Sequence, residues 1–117
     1  MADWLESLAR IKREVPDDVL VLPSHNECFT GLHARIEALQ ADQQAVMARL
    51  RLALSEPRRA VDVFEALFKR NIGERDVNLL SMATGESLAC LHYLVHAGEV
   101  SCSRDDADVD WYRLKTA

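Results

Sequence analysis

The run Val19-Leu20-Val21-Leu22 constrains the fold of this chain more than any other stretch, because it is apolar without alternation and stops abruptly at Pro23-Ser24-His25. Such a run, bounded by turn residues, reads as a strand covered on both faces, as in a parallel sheet. One strand cannot cover itself, so the first 30 residues are expected to belong to a sheet whose other strands lie outside the chain. A rigid strand that delivers a histidine into an open loop is also how many α/β hydrolases place a metal ligand or a catalytic base. On the residues alone His25 has two readings. It is a ligand or catalytic group, or, more commonly for a lone histidine after a strand, a loop residue hydrogen-bonded to nearby backbone.

The flanking segments read as helices. Trp4, Leu8, Ile11 and Val15 recur at helical spacing, with Asp3 as the expected cap, Glu6 as its partner and Pro16 as the stop. A long helix is expected from Leu32 to Leu54, with Leu32, Ile36, Leu39, Val46, Leu50 and Leu54 near one stripe. Its middle, Gln40 to Gln44, is polar, so its two ends are expected to pack against different bodies. Pro57 opens a shorter helix holding Ala60, Val61, Phe64, Leu67 and Phe68, which Asn71 and Gly73 should close. A further helix is expected from Arg75 to Ala97. Its interior Gly85 points to a kink or a close helix contact, and Gly98 to a carboxyl cap. Glu99 to Ser103 and Val109 to Leu114 then alternate as a hairpin around the turn Arg104 to Asp108. Helix, helix, longer helix and hairpin is the order of a winged-helix domain. The expected class is mainly α with a small β-hairpin.

Composition excludes several functions. A net charge of -5 disfavours broad attraction to nucleic acid or an anionic membrane. No apolar run approaches the roughly 20 residues of a membrane span, and Asp3 and Glu6 stand where a secretory signal would carry positive charge. Cys28, Cys90 and Cys102 form no CxxC pair and are odd in number, which fits reduced thiols, buried or half-buried, and a cytoplasmic location.

The segment Val21-Leu22-Pro23-Ser24-His25, with Phe29 and Gly31-Leu32-His33-Ala34-Arg35-Ile36, resembles the carboxyl-terminal part of metallo-β-lactamase-fold hydrolases, in the bacterial branch with an appended winged-helix domain. The helix before it and the helices and hairpin after it fit as well, so the resemblance covers essentially the whole chain. It implies that residues 1–30 are the end of the catalytic domain (helix, strand and metal-ligand loop), and that 31–117 are the winged helix with its long connecting helix. It also implies that His25 is the last ligand of a dinuclear zinc site. The family's main signature, a His-x-His-x-Asp-His loop, is absent, and a catalytic zinc needs at least three protein ligands. The 117 residues alone are therefore expected to hold no catalytic or cofactor-binding residue and to bind no zinc by themselves. The expected partners are the protein's own amino-terminal catalytic domain, a small-molecule substrate in the full-length enzyme, and a second copy of the chain.

The sequence departs from the family at Asn26, where a Gly commonly follows the His. Asn tolerates the left-handed backbone that Gly would supply. His33, in the first turn of the long helix, reads as a residue that hydrogen-bonds the loop, with support of the metal site as the lesser alternative. His92 and His96 share a helical face at a spacing that can hold zinc. They lack a third ligand, and Tyr93 stands where a peptidase would carry its Glu. The winged-helix order raises DNA binding as a rival, but Glu74, Asp76 and Glu86 on the long helix and Asp105, Asp106, Asp108 and Asp110 at the wing would repel a duplex. The clustered positive charges, Arg49, Arg51, Arg58, Arg59, Lys69 and Arg70, fall on helices that a winged helix does not place in the groove. The alternative to a hydrolase segment is a free-standing winged-helix module that binds protein.

Overall fold

The computed structural model describes residues 1–69, 72 and 75–116. In chain order the elements are α1 (Ala2–Glu14), α2 (Leu32–Ala53), a 3-10 turn (Ala60–Val63), α3 (Phe64–Phe68), α4 (Val77–His96), β1 (Val100–Arg104) and β2 (Asp110–Leu114). The chain divides into two compact units, Met1–Ala45 and Val46–Ala117, so the divide falls just after the polar stretch of α2.

In the first unit α1 runs as its periodicity requires, but Asp3 is not its cap. Met1 holds that position without a side-chain bond, and Asp3 lies inside the first turn, where its charge still meets the positive helix end. The helix stops at Val15, whose backbone is extended, as a residue before proline prefers. Of its apolar stripe only Leu8 is buried, while Trp4 stays 43% exposed and Ile11 40%.

The expected strand at Val19–Leu22 does not form. That segment is turn and loop with a single antiparallel bridge, Val21 to Phe29, closed by Val21 N–H donating to Phe29 O at 2.8 Å and Phe29 N–H donating to Val21 O at 3.1 Å. A strand is defined by its neighbours' hydrogen bonds, and none is supplied here by a sheet. Leu20 and Leu22 are correspondingly 63% and 73% exposed.

The second unit has its own core. Leu50, Leu54, Val63, Leu91, Leu94, Val100 and Tyr112 are almost wholly buried, and α4 packs against the 3-10 turn, α3 and β1. Phe64, Ile72 and Ala83 form one cluster, flanked by Phe68, Leu79 and Leu80. Arg59 and Asp62 set the start of the 3-10 turn, since the Arg59 backbone N–H donates to Asp62 Oδ2 at 2.9 Å. Lys69, in the left-handed region, ends α3. Asn71 and Gly73, the expected closers, lie outside the described residues.

The α4 helix begins at Val77, with the Asp76 carboxylate accepting from Leu79 N–H at 3.0 Å. Gly85 lies within this unbroken helix on an exposed face. Nothing stands within 4 Å of where a Cβ would be, so the close contact expected there is absent among the described residues. At the other end Gly98 N–H donates to Val95 O and Glu99 N–H to Leu94 O, both at 3.0 Å. With Gly98 at φ 78°, this is the Schellman arrangement, and the positive φ is why glycine stands there. The β1–β2 hairpin is antiparallel, with Val100 opposite Leu114, Cys102 opposite Tyr112 and Arg104 opposite Asp110. A further bridge joins Arg58 to Tyr112.

Candidate functional site

The loop that presents His25 is built by two backbone devices. The Val21–Phe29 bridge pins its ends, and Asn26 turns it at φ 68°. Asparagine therefore takes the left-handed conformation expected of it. His25 is exposed in an open depression of about 480 Å³, lined with Pro23, Asn26, Glu27, Cys28, Phe29 and Arg35.

The residues after this loop anchor it to α1. The His33 backbone N–H donates to Asp17 Oδ1 at 2.8 Å, supplying an acceptor for a first-turn amide that has no partner inside the helix. The His33 Nε2 lies 2.8 Å from Val15 O. A carbonyl only accepts, so Nε2 carries the proton there. Lys12 and Glu37 add an ion pair between α1 and α2 at 2.7 Å, and the hydrogen bond from Lys12 holds the Glu37 carboxyl below its ordinary range. His33 thus fixes the loop through hydrogen bonds and does not face the depression.

Arg35 is the residue that sequence reasoning passed over. It was legible as part of Gly31-Leu32-His33-Ala34-Arg35-Ile36 but carried no role. Its guanidinium carbon lies 4.1 Å from the centroid of the Phe29 ring, a cation–π arrangement that contributes about 0.5–1 kcal/mol at an exposed site. No spacing rule links these two residues, because the loop geometry alone brings them together.

Among the described residues no group of three His, Cys, Asp or Glu side chains is placed to hold an ion. His25 has neighbours that could donate, Glu27 and Cys28, but they do not converge with it on one point. One imidazole does not make a catalytic zinc site.

The other histidine pair points elsewhere. The His92 Nε2 lies 3.4 Å from the Tyr112 hydroxyl, with ring centroids 6.2 Å apart, and His96 is exposed at the carboxyl end of α4. Of the thiols, only Cys90 is buried. Cys28 and Cys102 are exposed, against the expectation of buried or half-buried side chains.

Most of the basic cluster on the second unit is already engaged. Arg51 pairs with Glu99, Arg58 with Glu56 and Arg59 with Asp62, while Arg49 donates to Ala66 O. Arg70 lies outside the described residues. No helix of the described structure is long and apolar enough to cross a membrane.

Residues 47–115 match the family model for the metallo-beta-lactamase-like, C-terminal domain. The chain belongs to that family. It is similar to the crystal structure of a beta-lactamase domain protein from Burkholderia ambifaria, with a TM-score of 0.89 and 36% identity over 97% of this chain. It is also similar to a metallo-beta-lactamase family protein from Thermus thermophilus, with a TM-score of 0.78 and 25% identity over 97% of this chain. In each case the chain spans 33% of the other protein's length. No curated protein matches it. Membership in a carboxyl-terminal domain family agrees with the sequence resemblance.

Proposed function

We propose that these 117 residues are the carboxyl-terminal region of a zinc-dependent metallo-β-lactamase-superfamily hydrolase, non-catalytic by themselves, supporting its substrate cleft or a subunit interface. The observation that carries this reading is the 36% identity over nearly the whole chain to a beta-lactamase domain protein three times as long. Within that reading His25 supplies one zinc ligand through a neutral imidazole nitrogen, and the remaining ligands come from sequence outside these residues. No reaction step is assigned to the chain, because no metal site is completed among the described residues. Its contribution is positional. The Val21–Phe29 bridge, the left-handed turn at Asn26 and the Asp17–His33 bond hold the His25 loop against α1 and α2.

The second unit is read as a winged helix, with β1–β2 as the wing and the Arg58–Tyr112 bridge as the edge pairing beside it. Its compactness favours one rival, a free-standing winged-helix module that binds protein. DNA is the less favoured partner for either reading, because Arg51, Arg58 and Arg59 are paired with carboxylates and the wing is acidic.

In the full-length protein His25→Ala is expected to lower zinc content and hydrolysis together. Unchanged zinc stoichiometry in that variant overturns the ligand assignment. A salt-dependent duplex affinity tighter than micromolar would reverse the ranking of DNA.

A further inference from the structure

We propose that the groove between the 3-10 turn, α4 and the hairpin docks a basic peptide segment of a partner protein, which seats one apolar side chain in the groove and sets Lys or Arg side chains against the hairpin tip. This surface goes beyond the hydrolase reading above and does not depend on it.

Ala60 and Val61 of the 3-10 turn, Leu88 of α4, and Val109 and Tyr112 of the hairpin line an open groove of about 240 Å³. That is less than the roughly 300–1,000 Å³ of a small-molecule pocket and suits a single side chain. All five side chains are apolar or aromatic, and Val61 stays 47% exposed at the groove. The walls are set in advance. Arg59 forks onto Asp62, with Nε 3.0 Å from Oδ2 and Nη2 2.8 Å from Oδ1, which fixes the turn. On the opposite side β2 is paired along both edges, with β1 and through the Arg58–Tyr112 bridge. A preformed groove spares the cost of ordering its walls on binding.

The surrounding charge selects the occupant. Arg59 and Arg104, the cations on this side of the unit, are each spent on a carboxylate at 2.8 Å, Arg59 on Asp62 and Arg104 on Asp110. The turn that leads into Val109 adds Asp105, Asp106 and Asp108. Asp105 is occupied by the Ala107, Val109 and Trp111 N–H groups. Asp106 and Asp108 are exposed, and among the described residues neither carboxylate has an ion pair or hydrogen bond. A surplus of negative charge beside an apolar groove repels an acidic peptide or a phosphate backbone and attracts Lys or Arg flanking an apolar anchor. A second copy of the chain is a poorer occupant, because a two-fold contact through this groove sets the same acidic tips near one another.

The deciding measurement is methyl NMR of the full-length protein, read at Val61, Leu88 and Val109. The probe is the acetylated and amidated peptide Gly-Lys-Lys-Leu-Lys-Lys-Gly. Saturable shifts at these methyls are expected. Glycine in place of the leucine should weaken binding by about 10- to 100-fold, the range for one buried aliphatic side chain. Glutamates in place of the lysines should abolish it.

On the protein side, Asp106→Asn combined with Asp108→Asn should weaken binding by about 2- to 10-fold, the range for two exposed ion pairs. Asn accepts the φ of 61° at position 108, so the turn keeps its shape. Val61→Asn should weaken binding by about 3- to 10-fold through the lost apolar wall. Because Val61 is half exposed, a parental Tm in that variant separates lost docking from lost folding.

Absence of saturable shifts, equal affinity for the glycine or glutamate peptide, or parental affinity in either variant overturns the proposal. So does concentration-dependent association of the protein that Val61→Asn disperses, since it puts a second copy in the groove. Zinc content in His25→Ala decides the hydrolase reading alone, so the two fail separately.

Discussion

Arg51 on α2 forks onto Glu99, at the junction of α4 and β1, with Nε 2.6 Å from Oε2 and Nη2 3.1 Å from Oε1. The pair closes the second unit across a long stretch of sequence. The hydrogen bond from Arg51 holds the Glu99 carboxyl below its ordinary value of 4.5. A depressed folded pKa means that the pair's stabilisation is present above the ordinary carboxylate pKa and is lost as pH falls through the folded value. Both side chains are 39% exposed, so solvent screens the pair and its contribution stays below about 1 kcal/mol. Glu99→Gln should therefore lower the Tm slightly at pH 7 and by less at pH 3, below the ordinary carboxylate pKa. Equal differences at both pH values in thermal circular dichroism would show that the ion pair contributes nothing.

Tyr112 joins the hairpin to the segment before the 3-10 turn. Its N–H donates to Arg58 O at 2.7 Å, its carbonyl accepts from Arg58 N–H at 2.9 Å, and the side chain is only 1% exposed. Burial is the main cause that pushes its phenol from 10.0 up to about 12. A raised folded pKa makes the associated stability full below pH 10 and lost as pH climbs toward 12. Absorbance titration at 295 nm is expected to show a late tyrosinate component that Tyr112→Phe removes. Tyr112→Ala, which empties a core position, should cost roughly 3–5 kcal/mol in urea unfolding of the second unit.

The helices and the hairpin were legible because their signals are local. Apolar spacing marks α1, α2 and α4, Gly98 caps α4, and alternation marks β1 and β2, whereas the Asp76 cap, one residue inside the expected start of α4, was not read. The Val19–Leu22 strand failed for the opposite reason, since among the described residues only the isolated Val21–Phe29 bridge pairs with it, and a strand needs a ladder. The bridge from Arg58 to Tyr112 was missed because Arg58 lies outside any alternating run. At the candidate site the position of His25 in a loop was readable from Pro23-Ser24-His25. The approach of Arg35 to the Phe29 ring was not, because it depends on how Gly31, at positive φ, turns the chain between them.

Asp105 organises the tip of the hairpin. Its Oδ1 accepts from Ala107 N–H at 2.8 Å and Val109 N–H at 3.0 Å, and its Oδ2 accepts from Trp111 Nε1 at 2.8 Å. The Trp111 bond, followed by that from Val109, holds the carboxyl below its ordinary 3.8. The turn should therefore keep its structure above that value and loosen as pH falls through the lower folded one. In a Trp4→Phe background, Trp111 emission reports it. Asp105→Ala should give at pH 7 the emission that the parent reaches only in acid. Asp105→Asn should keep the backbone bonds and lose the indole one. An emission unaffected by either substitution would mean that the carboxylate does not hold Trp111.

Asn26 tests whether the His25 loop depends on its left-handed turn. At φ 68° a Gly would relieve backbone strain, but it would also enlarge the freedom lost on folding. The two effects oppose each other, so Asn26→Gly should lie within about 0.5 kcal/mol of the parent. A β-branched residue has no such compensation, and Asn26→Val should destabilise the turn by about 1–2 kcal/mol. The loss is local, because the loop's ends are tied by the Val21–Phe29 bonds rather than by the helices. Hydrogen exchange at the Val21 and Phe29 amides should accelerate by about 5- to 30-fold in Asn26→Val, while the amides of α4 keep their parental rates. In the full-length protein the same variant should weaken zinc retention, as expected if His25 is aimed by the turn. Parental exchange at both amides would mean that the loop tolerates a different backbone, and that Asn26 does not position the histidine.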